Sequence, residues 1–271
     1  DSPAPADTAP PEEVDAVTPA VPSVLGHLAA APGSADAALW FNPAKIADVW
    51  PLLDTYASTH RMQLTVGGTS AGIVKYYAGF GSDATRPQVF INLRRVPELN
   101  VIDSGSAAEP AADEDWVDVG DQAEPPGVTF GAAVTLSEVI ETLTTLAPKH
   151  PNLAPLVRHL HLVAHWQVRD QASWAGNVMV CKNWPAFPSD VCTMMAAAGA
   201  TVRVSSKTGV GASVPLESFL KTPLSPTSIL FSLHVPFNEG KVFDSFKIMS
   251  RHANAHAYVN AGFLATKSGN T

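Results

Sequence analysis

The sequence predicts an α+β fold built in two lobes, and three observations support that prediction. Several segments repeat apolar residues at spacings of three and four, the pattern of a helix with one buried face. Other segments are short runs rich in β-branched and aromatic residues, the pattern of strands. A long acidic stretch punctuated by proline and glycine, residues 103–127, resembles an insertion and separates the two halves.

Composition narrows the class of protein. The chain has 271 residues, of which 46% are hydrophobic, so it can bury a core and is not a wholly disordered chain. No apolar run approaches the ~18 residues of a membrane-spanning helix. Cys181 and Cys192 are too few for an iron–sulfur cluster, which takes about four protein ligands, so we expect buried free thiols. Because the chain begins at Asp1 without an initiator methionine or an apolar signal segment, we expect a processed or excised piece of a longer protein.

The net charge of −8 hides a division between acidic segments and a basic body. Residues 1–38 hold six acidic residues and residues 103–124 hold eight, with no lysine or arginine in either segment. The rest of the chain contains all 17 lysine and arginine residues and is therefore net basic. This mild charge suits a phosphate-bearing ligand or is ordinary surface charge, and it is too weak to predict nucleic-acid binding.

The first half of the chain contains a linker and the first predicted lobe. Residues 1–38 hold seven prolines and eleven alanines, a composition that predicts an extended linker. The globular domain is predicted over residues 39–265, and its first lobe over residues 39–102. The elements predicted in this lobe are, in order, a helix over residues 46–56 and strands over residues 62–66 and 88–92.

The second lobe is predicted over residues 128–265, with residues 266–271 as a tail. Its first helix is predicted to run to about Leu146 from a cap at Thr135 or Ser137. A strand at 128–132 is predicted before that helix, and a helical stretch at 153–166 and an irregular stretch at 171–188 are predicted after it. The next predicted helix, at 190–198, is capped by Ser189 and ends at Gly199. Strands are predicted at 201–204, 229–235, 242–248 and 258–265.

A glycine-rich turn is the first segment that suggests chemistry. Residues 64–72, Leu-Thr-Val-Gly-Gly-Thr-Ser-Ala-Gly, lead from a predicted strand toward a helix start. Such a turn exposes successive backbone N–H groups, and glycine lets the backbone approach an anion closely. The spacing matches neither the Rossmann fingerprint nor a P-loop, so the residues predict either a phosphate site or a plain tight turn.

A second polar segment comprises Ser173, Gly176 and Asn177, followed by Ser189 and Asp190. A hydroxyl, a glycine backbone and an amide can hydrogen-bond diphosphate or sugar oxygens, and an aspartate can accept from a ribityl or ribose hydroxyl. The alternative interpretation is structural: Ser189 and Asp190 would begin a helix and Asn177 would occupy a turn.

Nine histidines raise the question of a metal site. His161 and His165 would share a helix face, but a zinc site takes three or four ligands and no H-E-x-x-H pattern is present. We therefore expect partly buried or surface histidines. The G-x-S-x-G pattern of a nucleophile elbow is also missing, so no serine nucleophile is predicted.

Taken in order, these motifs resemble those of one family, the FAD-binding domains of the molybdenum hydroxylases, which include xanthine dehydrogenase and aldehyde oxidase. The resemblance runs from Trp40 to about Ala265. It rests on seven segments, LWFNP…IADVWPLL, LTVGGTSAGI, INLRRVPELNVI, VTFGAAVTLSEVIETL, ASWAGNVMV, FPSDVCTMMAAAGATV and ILFSLHVPF…VFDSFKIMSRHANAHAYVNAGF.

The resemblance implies a two-lobed PCMH-type α+β fold that binds one FAD non-covalently, as an oxidoreductase component. The flavin would pass electrons from an iron–sulfur cluster to NAD or O2, and the 2Fe–2S and molybdopterin groups would lie on other domains or chains. Partners would be those domains or a larger assembly, with no nucleic acid and no membrane span. The resemblance also implies a cytoplasmic protein, while the missing initiator methionine leaves an organelle open.

The same resemblance assigns site residues in this chain. The first diphosphate loop would be Leu64 to Ile73 and the second would contain Ser173, with Asp190 contacting FAD hydroxyls. Lys247 would lie beside the flavin ring and Arg251 in a charged cluster near it. The full set of implied cofactor-binding residues is Leu64, Val66, Gly67, Gly68, Thr69, Ser70, Ala71, Ile73, Ser173, Gly176, Asn177, Asp190, Leu230 and Lys247.

Departures from the family pattern motivate an alternative. Ala175 stands where the family has glycine, and its methyl group would obstruct the phosphates. Val163 stands where xanthine dehydrogenases place a phenylalanine, with Leu162 or Trp166 as substitutes. The chain ends near the start of the family's C-terminal subdomain, which is therefore expected to be absent. The alternative is a degenerate flavodomain retained as a structural or assembly subunit without flavin.

Overall fold

The computed structural model describes residues 38–78, 87–105, 124–252 and 254–266. These residues form a mixture of helices and sheets, so the predicted α+β class is confirmed. Most of the predicted linker, most of the acidic insertion and most of the tail lie outside the described residues. The division of the chain into domains stays a prediction.

The first lobe is a small parallel sheet with helices beside it. Strands β1 (Leu39–Phe41), β2 (Met62–Thr65) and β3 (Val89–Asn92) form the sheet, with β3 in the centre. Helix α1 (Val49–Tyr56) follows β1, and helix α2 (Ala71–Ala78) follows β2. The apolar face of α1 and the central strand are buried together in the core. The helix and both strands predicted for this lobe are therefore present.

An antiparallel sheet forms the base of the second lobe. The strands are β4 (Ile102–Asp103), β5 (Gly127–Gly131), β6 (Thr201–Ser206), β7 (Gly209–Val210), β8 (Val214–Pro215) and β9 (Ile229–Pro236). Their order in the sheet is β4-β5-β9-β6-β7, and β8 pairs with β6 outside that path. Strand β9 lies between β5 and β6, and almost all of its residues are buried.

Within the described residues, the second lobe contains six α-helices. The first of them begins after Thr135, which is therefore the cap rather than Ser137. The Thr135 hydroxyl accepts from the Glu138 N–H at 3.2 Å, and the Glu138 carboxylate accepts from the Thr135 N–H at 2.7 Å. The helices are α3 (Leu136–Leu146), α4 (Leu153–Leu160), α5 (Trp166–Arg169), α6 (Trp174–Asn183), α7 (Asp190–Ala197) and α8 (Leu216–Lys221).

The irregular stretch predicted over residues 171–188 is wrong, because most of it is helix α6. Ser173 begins the helix: its hydroxyl accepts from the Gly176 N–H at 3.0 Å. Trp174, Ala175 and Val178 are all buried, so the helix is covered on more than one side. A helix buried in this way lacks the single apolar stripe on which a periodicity argument depends.

The continuous helical stretch predicted over residues 153–166 is also wrong. Helix α4 ends at Leu160, the backbone turns through Ala164 with a φ of 50°, and α5 begins at Trp166. His161 therefore follows one helix and His165 precedes the next, so the two do not share a helix face. The left-handed conformation at Ala164 breaks the helical repeat between them.

The described chain ends in a hairpin of β10 (Lys241–Met249) and β11 (Ala257–Thr266). Its inner face packs against α4 and α7. Its outer face exposes a group of apolar side chains, Val242, Phe246, Ile248, Val259 and Phe263. Among the described residues, no helix combines the length and apolar character required to cross a membrane.

Candidate functional site

The glycine-rich turn lies where strand β2 gives way to helix α2, at the carboxyl edge of the parallel sheet. Gly68 has a φ of +63°, a left-handed conformation that glycine adopts without strain. The backbone N–H groups of four consecutive residues have no acceptor among the described residues; these are Gly67, Gly68, Thr69 and Ser70. Unpaired N–H groups before a helix of eight residues form a setting suited to an anion.

This turn packs directly against the segment that precedes α6. A Cβ atom added to Gly67 would lie 1.8 Å from the Gln171 carbonyl oxygen, so only glycine lets the two backbones come this close. The Gln171 side chain is also tied to the first lobe, since its Oε1 accepts from Arg94 Nη1 at 2.7 Å. Two polar segments far apart in the sequence are therefore adjacent in space.

The start of α6 presents its one glycine to solvent. Gly176 is exposed in the first turn of the helix, whereas Ser173, its cap, is 3% exposed. The predicted obstruction by Ala175 does not arise, because its side chain is only 7% exposed and packs with the core. A ligand could therefore approach the backbone of this turn at Gly176.

A hydrogen bond joins the starts of α6 and α7. Asn177 Oδ1 accepts from Ser189 Oγ at 2.5 Å, and Ser189 Oγ in turn accepts from the Cys192 N–H at 3.0 Å. Ser189 is therefore the cap of α7, as the sequence predicts. The structural interpretation of Ser189 is correct, and its hydroxyl also holds the Asn177 amide in place.

A buried ion pair connects α7 to the hairpin. Lys247 Nζ lies 2.7 Å from Asp190 Oδ2 and donates to the Leu162 carbonyl at 2.9 Å; the lysine side chain is 0% exposed and the aspartate side chain 10%. The second carboxylate oxygen, Oδ1, is buried without a hydrogen-bond partner among the described residues. His159 Nε2 is 3.8 Å from it, too far for a hydrogen bond. An unsatisfied buried acceptor costs about 1–3 kcal/mol.

Other residues implied by the resemblance lie apart from this line of contacts. Leu230 is 5% exposed within β9, and Val163 is 7% exposed in the core, whereas Trp166 is 62% exposed. The Arg251 guanidinium donates to the Asn254 carbonyl, at 2.6 Å from Nη2. Of the two proposed substitutes for a phenylalanine, only Trp166 therefore offers a largely free aromatic face.

Two polar residues near the ion pair were not assigned to the cofactor site from the sequence. His159, on α4, has a side chain only 1% exposed and both ring nitrogens lack a hydrogen-bond partner in the described part of the chain. Asn260 lies opposite Lys247 in the hairpin register, and its amide nitrogen and oxygen are also buried without a hydrogen-bond partner in that part of the chain. A histidine on the apolar face of α4, beside Leu156 and Leu160, was the available signal.

No group of three or more histidine, cysteine, aspartate or glutamate side chains within the described ranges is arranged to hold a metal ion. The polar contacts instead form one continuous line. It runs from the glycine turn through Gln171 to Ser173 and Asn177, and then through Ser189 to Asp190 and Lys247. The unpaired N–H groups of the glycine turn could hold a phosphate, and the unpaired Asp190 Oδ1 could accept from a ligand hydroxyl.

Fold and site together define the class: a two-lobed α+β protein with a candidate nucleotide site where the lobes meet. Residues 33–238, most of the chain, match the family model of the FAD binding domain in molybdopterin dehydrogenase. The chain therefore belongs to this family, and the resemblance drawn from the sequence is confirmed.

Curated relatives give the same family at the sequence level. The chain is 28% identical over 235 residues to probable aldehyde oxidase 1 of Oryza sativa subsp. japonica, a match that covers 84% of this chain and 15% of that protein. It is 29% identical over 239 residues to indole-3-acetaldehyde oxidase of Zea mays, covering 85% of this chain and 15% of the relative. The chain thus spans a small fraction of the length of these proteins.

Solved structures show the same fold. The carbon monoxide dehydrogenase of Hydrogenophaga pseudoflava superposes with a TM-score of 0.62 at 21% identity, over 86% of this chain and 70% of that one. Quinoline 2-oxidoreductase from Pseudomonas putida 86 superposes with a TM-score of 0.55 at 23% identity, over 80% of this chain and 65% of that chain.

Proposed function

We propose that this chain binds one FAD non-covalently where the two lobes meet. The observation that carries the proposal is the contact between Gly67 and Gln171, which holds the glycine turn against the start of α6. A diphosphate needs donors from two directions, and this contact brings two such segments together. The unpaired Asp190 Oδ1 adds a buried acceptor for a ligand hydroxyl, so the residues present fit FAD.

The glycine turn would hold the first phosphate. The free N–H groups of Gly67, Gly68, Thr69 and Ser70 would donate to phosphate oxygens, helped by the positive end of the α2 dipole. The neighbouring side chains would line the ligand rather than donate to it; these are Leu64, Val66, Ala71 and Ile73.

The start of α6 would hold the second phosphate. Gly176 leaves the backbone open, Ser173 keeps the first turn in place, and Asn177 would offer its amide N–H2 because its oxygen is already bound to Ser189. Charge-assisted hydrogen bonds of this kind are stronger than neutral ones.

Asp190 and Lys247 would work as a pair. Asp190 Oδ1 would accept from a FAD hydroxyl, while Lys247 neutralises the carboxylate through Oδ2. In this arrangement the lysine would position the acceptor, and its positive charge would lie near the flavin. Leu230 would contribute an apolar contact.

Bound FAD would supply the electron-transfer chemistry, from an iron–sulfur cluster to NAD or O2. We propose that the 2Fe–2S and molybdopterin groups lie on other domains or chains, as in a molybdenum-hydroxylase-type oxidoreductase. The residues of this chain would bind and orient the flavin and exclude water from it. None is required as an acid, a base or a nucleophile. A cytoplasmic location is proposed on the same resemblance.

A second candidate function is a structural or assembly subunit without flavin. It is favoured by the burial of Lys247, which already has two partners, and by the exposed apolar face of the hairpin. Exposed apolar patches of this kind mark contact surfaces in many proteins.

Purification without added flavin separates the two functions. A flavin domain would show absorption bands near ~370 and ~450 nm and release FAD on denaturation. The variant Gly68→Val would lose them, because a β-branched residue does not tolerate the φ of +63°. A colourless protein that ignores added FAD would contradict the flavin proposal and support the structural one.

A further inference from the structure

Two consecutive arginines follow β3, and neither is assigned to the candidate site above. Arg94 and Arg95 lie at the carboxyl edge of the parallel sheet, the same edge at which β2 leads into the glycine turn. The two chain segments are paired there, since the Leu93 N–H donates to the Thr65 carbonyl at 2.8 Å. Ligands of parallel sheets bind at the carboxyl ends of the strands. The arginines therefore lie beside the candidate phosphate site.

The Arg94 guanidinium is separated from the glycine turn by a single residue. Its Nη1 donates to Gln171 Oε1 at 2.7 Å, and the backbone carbonyl of the same glutamine lies against Gly67. Gln171 thus contacts both the arginine side chain and the turn. Because one residue makes both contacts, the hydrogen bond holds the guanidinium close to the turn instead of leaving it free in solvent.

The backbone of Arg94 is held by the side chains of two asparagines. Asn92 Oδ1 accepts from the Arg94 N–H at 3.1 Å, and Asn100 Nδ2 donates to the Arg94 carbonyl at 3.1 Å. Leu93 and Val96, on either side of the arginine pair, are 5% and 0% exposed. A side chain on a backbone held in this way loses less freedom when a ligand binds, so the arginine is preorganised.

Within the described ranges, no carboxylate lies within ion-pair distance of either arginine. The acidic residues nearest in sequence to this region have other partners. Glu98 Oε1 accepts from the Ile46 N–H at 3.0 Å, and Asp170, which precedes the glutamine, accepts from Ser137 Oγ. The positive charge next to the glycine turn is therefore not compensated by the part of the chain that the structure describes.

We propose that Arg94 neutralises the diphosphate of the bound cofactor and is a further residue of its binding site. The N–H groups of the glycine turn carry only partial charge, whereas the diphosphate of FAD is fully anionic. A guanidinium carries a full positive charge and can offer a phosphate two parallel N–H groups. Arg94 uses one of its N–H groups for Gln171, so others remain for a phosphate. This inference rests on the proposed FAD site.

The first experiment compares FAD binding by flavin-free wild type, Arg94→Gln and Arg95→Gln. Each variant loses one positive charge from the same segment, but only Arg94 is bonded to Gln171. At low salt we expect Arg94→Gln to bind FAD about tenfold more weakly, by loss of a charge-assisted contact, and Arg95→Gln to stay within about twofold of wild type. Fluorescence titration measures all three. Equal weakening in both variants, or none in Arg94→Gln, would overturn the proposal.

Salt distinguishes neutralisation of the ligand from a purely structural role. If Arg94 only tied Gln171 to the first lobe, its loss would weaken FAD binding by the same factor at every salt concentration. Neutralisation predicts instead that the factor shrinks from about tenfold at ~0.01 M salt to about threefold at ~1 M, because the screening length falls from about 30 Å to about 3 Å. A factor that stays constant across this range would contradict the proposal.

A lysine at the same position tests the charge separately. Arg94→Lys keeps the positive charge but not the planar fork, so it should bind FAD within about threefold of wild type. A loss of tenfold or more in this variant, with circular dichroism unchanged, would show that the bond to Gln171 matters and the charge does not. The lysine variant also decides the question if Arg94→Gln fails to fold. Wild type that binds no FAD would contradict the proposed function itself, whereas FAD binding that is insensitive to Arg94 would contradict only this inference.

Discussion

Replacing Gly67 by alanine tests the contact that joins the two lobes. The added Cβ would lie 1.8 Å from the Gln171 carbonyl oxygen and 2.4 Å from its carbon, and both partners are backbone atoms that cannot rotate away. Overpacking of this kind costs about 1–3 kcal/mol. In a protein of this size we therefore expect the melting temperature to fall by about 2–12 °C.

A matched substitution five residues later provides the control. A Cβ added to Gly72 meets nothing within 4 Å, and this residue lies in helix α2, where alanine is favoured over glycine by about 0.5–1 kcal/mol. Gly72→Ala should therefore raise the melting temperature slightly and retain FAD, whereas Gly67→Ala should lose both stability and FAD. Calorimetry and flavin absorbance check these outcomes. If the two variants behaved alike, the described contact between the lobes would be wrong.

Three further predictions concern the line of polar contacts and the second sheet. Asn177→Ala should weaken FAD binding about tenfold, by the loss of one charge-assisted hydrogen bond, and fluorescence titration would measure it. Asp190→Asn should cost about 3–5 kcal/mol in urea unfolding, because it leaves the buried charge of Lys247 without a carboxylate partner, and the double variant with Lys247→Met should cost less than the sum of the single changes. Burial lowers the pKa of His234, against the effect of Glu124. The folded state thus binds this proton less readily than the unfolded chain, so stability should fall as the pH drops below about 6.5 and His234→Gln should flatten that fall.

Local signals in the sequence predict most elements of the fold. Thr135 with Glu138, and Ser189 before an apolar run, are helix starts whose caps depend on residues three positions apart. The first-lobe helix and the strands likewise follow from their spacing. In these segments one face is buried and the other is exposed. The spacing of apolar residues therefore predicts the helix or strand directly.

The segments that the sequence misplaced depend on distant contacts. Helix α6 is covered on several sides, so its residues carry no single apolar stripe, and the helix start at Ser173 was not predicted. At Ala164 the backbone adopts a φ of 50°. This position has neither the glycine nor the asparagine that would have predicted a left-handed conformation. In both places tertiary packing, rather than local preference, determines the backbone.

The candidate site was predictable in its residues but not in its connections. The glycine turn and the Ser173–Asn177 segment were identified separately, but their contact through Gln171 requires the packing of one lobe on the other. The pairing of Asp190 with Lys247 and the unpaired ring of His159 likewise join residues from α4, α7 and the hairpin. No spacing along the chain encodes those distances. The consequence of Ala175 was mistaken for the same reason, since its methyl group turns into the core.

Equilibrium binding of FAD and FMN to the flavin-free chain, measured side by side, decides whether the two polar segments hold a diphosphate. FMN carries the same ring and ribityl chain but only one phosphate, so it can engage only one of the two diphosphate segments. We expect one FAD per chain and binding of FMN weaker by tenfold or more, since each charge-assisted hydrogen bond contributes about 1.5–3 kcal/mol. Equal affinity for both flavins, or no binding of FAD, would contradict it.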